Sequence, residues 1–168
     1  NCEKIATVTI LGKEEEIQNY YNKSNLDYSG INIIDPSKSP DMPHFVELFY
    51  LLRKHKGITI EQAKDIVKKN NYFGTLMVYE EKADGLISGA SHSTADTVRP
   101  ALQIIKTAKK TSIVSSMFFM CFGNKTIIFS DCGLVENPNS DELADIAIQS
   151  ALTAINFGIE PRVALLSY

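Results

Sequence analysis

Short apolar runs rich in β-branched residues alternate along this chain with stretches of helical period, and that alternation most limits what it can fold into. It predicts an α/β fold, a mainly parallel sheet covered by helices. Residues 5–11 read as a strand stopped by Gly12, and the charged residues 13–22 as the helix after it. Residues 31–34 give a second strand, closed by Asp35-Pro36. Phe45, Leu48, Phe49 and Leu52 then fall on one helical face, in a helix ending near Lys56-Gly57. Thr59 and Gln62 have capping-box spacing ahead of a helix reaching about Asn70, and residues 71–80 read as another short helix. Residues 83–88 read as a brief strand. A helix from residue 93 carries Val98, Ala101, Leu102 and Ile105 on one stripe.

That pattern is lost in the basic run 106–110, where a domain boundary is expected, giving a first α/β domain over residues 1–109 and a second over 110–168. The second opens with strand-like runs at 112–122 and 126–130, which suit an antiparallel hairpin. Asn139, with Glu142 three residues on, caps a long helix whose face is Leu143, Ile146, Ala147, Ser150, Ala154 and Phe157, ended by Gly158. Residues 162–167 read as a last strand.

Composition excludes several function classes. With 168 residues, 44% hydrophobic and 22% charged, the chain is ordinary globular material for one or two compact units. A formal net charge of -3 and scattered basic residues argue against a nucleic-acid partner. The longest apolar runs fall far short of the roughly 20 residues a membrane span needs, and the first four residues are polar, so a soluble cytoplasmic protein is expected. Cys2, Cys121 and Cys132 are odd in number and lack metal-site or redox spacing, which suits reduced thiols.

The chemistry is concentrated in residues 83–100, ADGLISGASHSTADTVRP. A turn containing Gly89 leads into hydroxyl residues at the start of a helix, where free N–H groups and the helix dipole favour an anion. Ser91, Ser93 and Thr94 offer donors to a phosphate, and Arg99 offers a bidentate contact if the chain bends at Pro100. Plainer roles stand beside these. Ser93 or Thr97 can simply cap the helix, His92 has no carboxylate at readable spacing, and Arg99 and Arg53 can be surface cations. Spacing alone supports an α/β domain with an anion site.

The stretch DGLISGASHSTADTVRPALQIIK at 84–106 closely resembles the signature of the phosphate acetyltransferases, and further blocks follow the family's order: LRKHKG at 52–57, VSSMFFM at 114–120, SDC at 130–132, AIQS at 147–150 and FGIEPRVALLSY at 157–168. The resemblance implies a two-domain, three-layer αβα fold like that of the isocitrate and isopropylmalate dehydrogenases, with the active site in the cleft between domains, in a homodimer. It implies direct attack of the coenzyme A thiol on acetyl phosphate, with coenzyme A as a substrate and neither a metal nor a tightly bound cofactor. The arginines matching Arg53 and Arg99 are implied to bind substrate, and the loop 88–94 to line the site, making Ser91, His92, Ser93 and Thr94 candidates for contacts to acetyl phosphate. Family chains begin upstream of Asn1 and continue beyond Tyr168, where their thiol base lies, so an excised piece, inactive alone, is expected. Phosphate butyryltransferases share the pattern and differ in the acyl pocket; a noncatalytic anion-binding α/β domain is the remaining alternative. A dehydrogenase is disfavoured by the lack of a Gly-x-Gly-x-x-Gly after a strand.

Overall fold

A computed structural model describes residues 5–107 and 113–166. The chain divides between Lys106 and Thr107 into two compact units. The boundary expected at 109/110 lies outside the described residues.

In the first unit, β1 (Val8–Leu11) and β2 (Ile31–Ile34) pair in parallel, Val8 opposite Ile31 and Leu11 opposite Ile34, and α1 (Glu14–Lys23) makes the crossover that parallel strands require. Four helices follow: α2 (Met42–Arg53), α3 (Ile60–Val67), α4 (Asn70–Tyr79) and α5 (Thr94–Ile104). The capping box of α3 forms, with the Gln62 amide N–H donating to the Thr59 hydroxyl and the Thr59 N–H to the Gln62 side chain. Phe45 and Phe49 of α2 are fully buried with Val67, Phe73, Leu76 and Ile104, and Leu11 and Ile34 pack on this core. The Phe45 and Phe73 rings meet edge to face at 4.9 Å. Two contacts fasten the start of α2 to the end of α4, His44 to Glu80 and Lys82 to Asp41.

Three expectations for the first unit need correction. Residues 83–88 form no strand. Leu86 instead lies against Gly74 of α4, where an added Cβ would stand 2.8 Å from its methyl carbon, while Ile87 is wholly exposed. A strand needs a neighbour's ladder, and the two-stranded sheet does not take this segment up. The first strand starts at Val8 rather than residue 5. The inner face of α5 is set by Pro100 and Ile104, both buried, whereas Leu102 and Ile105 of the expected stripe are exposed.

The second unit holds an antiparallel hairpin, β3 (Met117–Phe122) and β4 (Lys125–Ser130), closed by Gly123-Asn124 with Gly123 at φ 60°. The strand begins five residues later than the first residue of the apolar run at 112. Helix α6 (Ser140–Asn156) starts in the expected box, the Asn139 side chain accepting from the Asp141 and Glu142 amides. Ile146 and Ala154 are its buried residues, and the Phe157 ring rests 4.7 Å from that of Phe119. Residues 162–166 form no strand, contrary to expectation, because no ladder partner is present for them among the described residues. No helix of the described residues is long and apolar enough to cross a membrane.

Candidate anion-binding site

A cavity of about 560 Å³ opens on the first unit, lined by Lys68, Lys69, Asn71, Tyr72, His92 and Arg99, with Ile66, Asn70 and Asp96 completing its wall. Its position follows from the fold. The Asn70 side chain donates to the Leu11 carbonyl at 2.9 Å, so the N-terminus of α4 sits by the carboxyl end of β1, where ligands of parallel sheets gather. That N-terminus has no side-chain cap, and it brings the positive end of its dipole to the cavity.

Cations outnumber anions around it. Lys68 is tied to Asp65 at 2.9 Å, both exposed, and Arg99 reaches Asp96 at 3.6 Å with both side chains 55% exposed. Ion pairs this exposed hold their partners weakly, so the Arg99 guanidinium is free to turn to a better anion. Tyr72 joins the two candidate arginines electrostatically. Burial lifts its phenol above the usual range, while the positive charges of Arg99 and Arg53 both act to pull it back. Its hydroxyl donates to Gln103 of α5 at 3.0 Å and its ring packs on Phe49, which fixes it between α2 and α5.

The residues singled out in sequence fall into two groups. His92 and Arg99 share the cavity wall. Ser93 caps α5, its hydroxyl accepting from the Asp96 amide at 3.1 Å and donating to the Asp96 carboxylate at 2.7 Å. Ser91 is exposed and stands 3.4 Å from His92 Nδ1, Thr94 opens α5 on the exposed side, and Arg53 ends α2; none of these three lines the cavity. Lys68, Lys69, Asn70, Asn71 and Tyr72 were not foreseen. A signal for one of them is present in the sequence: Pro100 sits four residues after Asp96 and cannot supply the amide that a helix offers that carbonyl. The missing donor comes from Asn71, whose Nδ2 lies 3.2 Å from the Asp96 carbonyl oxygen.

A heavily bonded carboxylate lies in the second unit. Asp131 is opposed by partial burial, which would raise it, yet the amides of Gly133 and Leu134 together with the hydroxyl and amide of Ser116 hold it down to about 2. It ties Ser116, the residue ahead of β3, to the loop before α6, a structural duty. A carboxylate depressed in the fold adds stability above its unfolded value near 4 and loses it as pH falls toward 2. Asp131→Asn is therefore expected to destabilise the protein at neutral pH by an amount that shrinks by about 1 kcal/mol, after solvent screening, in acid. Urea melts of both proteins at pH about 6 and about 2.5 test this, and a gap that stays constant with pH refutes it.

Comparison with known proteins identifies the family of the chain. The family model described as phosphate acetyl/butaryl transferase matches residues 1–168. Phosphate acetyltransferases from Thermoanaerobacterium thermosaccharolyticum and Synechocystis are 51% and 50% identical over 99% and 98% of this chain, which covers 52% and 24% of their lengths. A phosphotransacetylase from Staphylococcus aureus superposes with a TM-score of 0.85 at 48% identity over 95% of this chain and 48% of its own, and one from Streptococcus pyogenes with 0.85 at 42% over 94% and 48%. The chain thus spans about a quarter to a half of these relatives, and it belongs to the phosphate acetyl/butaryl transferase family.

Proposed function

We propose that this chain is the part of a phosphate acetyltransferase that holds the phosphoryl group of acetyl phosphate. The reading is carried by the cationic cavity at the uncapped start of α4, with Arg99, His92, Lys68 and Lys69 around it. In the reaction the coenzyme A thiol attacks the acetyl carbonyl carbon; the C–S bond forms, the bond from that carbon to the bridging phosphate oxygen breaks, and the thiol proton is taken up by a base or solvent. Phosphate departs. Arg99 offsets the charge of the phosphoryl group as it leaves and Arg53 adds positive potential beside Tyr72. Ser91, Ser93 and Thr94 shape the loop that carries His92. The residues serve transfer without a metal or a tightly bound cofactor, coenzyme A being a substrate.

The same reading takes the protein as a cytoplasmic homodimer, with two domains meeting near residues 109 and 110 and a three-layer αβα architecture of the isocitrate and isopropylmalate dehydrogenase type. The whole protein, given acetyl phosphate and coenzyme A, is expected to form acetyl-CoA and release phosphate, followed by thioester absorbance. Faster turnover of butyryl phosphate would assign it to the butyryl branch. Phosphate binding with no thioester from either substrate would leave a noncatalytic anion-binding domain and overturn the proposal.

A further inference from the structure

We infer that Asn71 is a positioning residue that holds the 88–99 segment as one unit and so aims Arg99 into the cavity, an inference that rests on the phosphate site proposed above. One amide serves both ends of that segment. Its Nδ2 donates to the Asp96 carbonyl, which Pro100 leaves without its helical donor, and its Oδ1 accepts from the Ser88 hydroxyl at 2.7 Å. Asn71 is 7% exposed, and its own backbone carbonyl accepts from Thr75 at 2.6 Å, so the amide stands on a fixed base in the core-facing helix α4.

The segment it clasps needs such a clasp. Gly89 takes φ 113°, the loop 89–93 is exposed, and α5 has a proline in its body next to Arg99. A proline in a helix removes one bond and bends the axis. The bend is definite only if something else bonds the freed carbonyl, and leaving a part-buried carbonyl or hydroxyl without a partner carries a cost. Asn71 meets both demands from an element that is otherwise packed in the core, and it lines the same cavity with its neighbours Asn70 and Tyr72. Residue 71 therefore ties α4 to the turn of α5 that carries Arg99, just ahead of Pro100.

The test is a double-mutant cycle in the whole protein, with inorganic phosphate and acetyl phosphate as titrants and steady-state kinetics beside them. Asn71→Leu keeps the branching and the neutral charge and removes both bonds. It is expected to weaken phosphate binding about 10-fold and to raise KM for acetyl phosphate with KM for coenzyme A unchanged, and to change phosphate affinity less than about 2-fold when Arg99 is already Ala. Ser88→Ala, which touches the clasp and not the cavity wall, gives the same pattern at about 3-fold and serves if Asn71→Leu does not fold. Equal losses in both Arg99 backgrounds, or no loss in the wild-type background, overturn the role of Asn71. If Arg99→Ala by itself leaves phosphate binding unchanged, the phosphate site is misassigned and the role of Asn71 falls with it.

Discussion

Replacing Arg99 by Ala is expected to lower kcat/KM for acetyl phosphate by about 10²–10³-fold in the whole protein, about 3–4 kcal/mol of transition-state stabilisation. The size follows from what the side chain faces. Arg99 lines a cavity whose other cations are two lysines, point charges on flexible stems, so it alone presents a planar fork to a phosphoryl group. Its present partner, Asp96 at 3.6 Å, is exposed and already shared with Ser93, so little is given up when phosphate replaces it. Arg99→Lys keeps the charge and loses the fork, and recovery of about a tenth of wild-type kcat/KM is expected. The effect should fall mainly on acetyl phosphate, with KM for coenzyme A nearly unchanged. A loss below about 5-fold for Arg99→Ala would place the phosphoryl group elsewhere.

The parts of this fold that were legible in sequence are those where one element decides its own structure. Thr59 with Gln62 and Asn139 with Glu142 each contain both halves of a capping box, and both boxes form. The Phe45 and Phe49 spacing names the buried face of α2 because a helix that must bury one stripe buries its largest apolar residues. Residues 83–88 and 162–166 have strand composition and are not strands, since a ladder depends on a neighbour that composition does not describe. The apolar stripe of α5 turned out rotated because Pro100, which reads as a helix breaker, is itself buried and anchors the face.

The site divides in the same way. His92 and Arg99 lie in the motif at 83–100, whereas Lys68, Lys69, Asn71 and Tyr72 come from the α3–α4 junction, about 20 residues or more from those two in sequence. Nothing local marks that junction as functional. Its importance appears only when Asn70 is seen holding the end of β1 and Asn71 the break in α5.

Those two asparagines can hold their partners only if α4 itself is fixed, which makes the fully buried Phe73 of that helix a residue on which the first unit depends. Its side chain is fully buried, edge to face with Phe45, and it stands on the same helix turn as the residues that line the cavity. Phe73→Ala removes a ring from the centre of this core and leaves a cavity that fixed neighbours on α2 and α3 cannot close, a loss of about 3–5 kcal/mol. For a unit of this size that lowers its Tm by on the order of 15 °C or more. Phe73→Leu, which refills much of the volume, should cost roughly 1–1.5 kcal/mol. Phe157→Ala in the second unit is the comparison: that ring is 67% exposed, so its removal should cost less than about 1 kcal/mol despite its contact with Phe119. Thermal melts of the three variants read the prediction directly. If Phe73→Ala costs no more than Phe157→Ala, the stability of the first unit does not reside in the α2–α4 core, and the rigidity of the cavity wall needs another source.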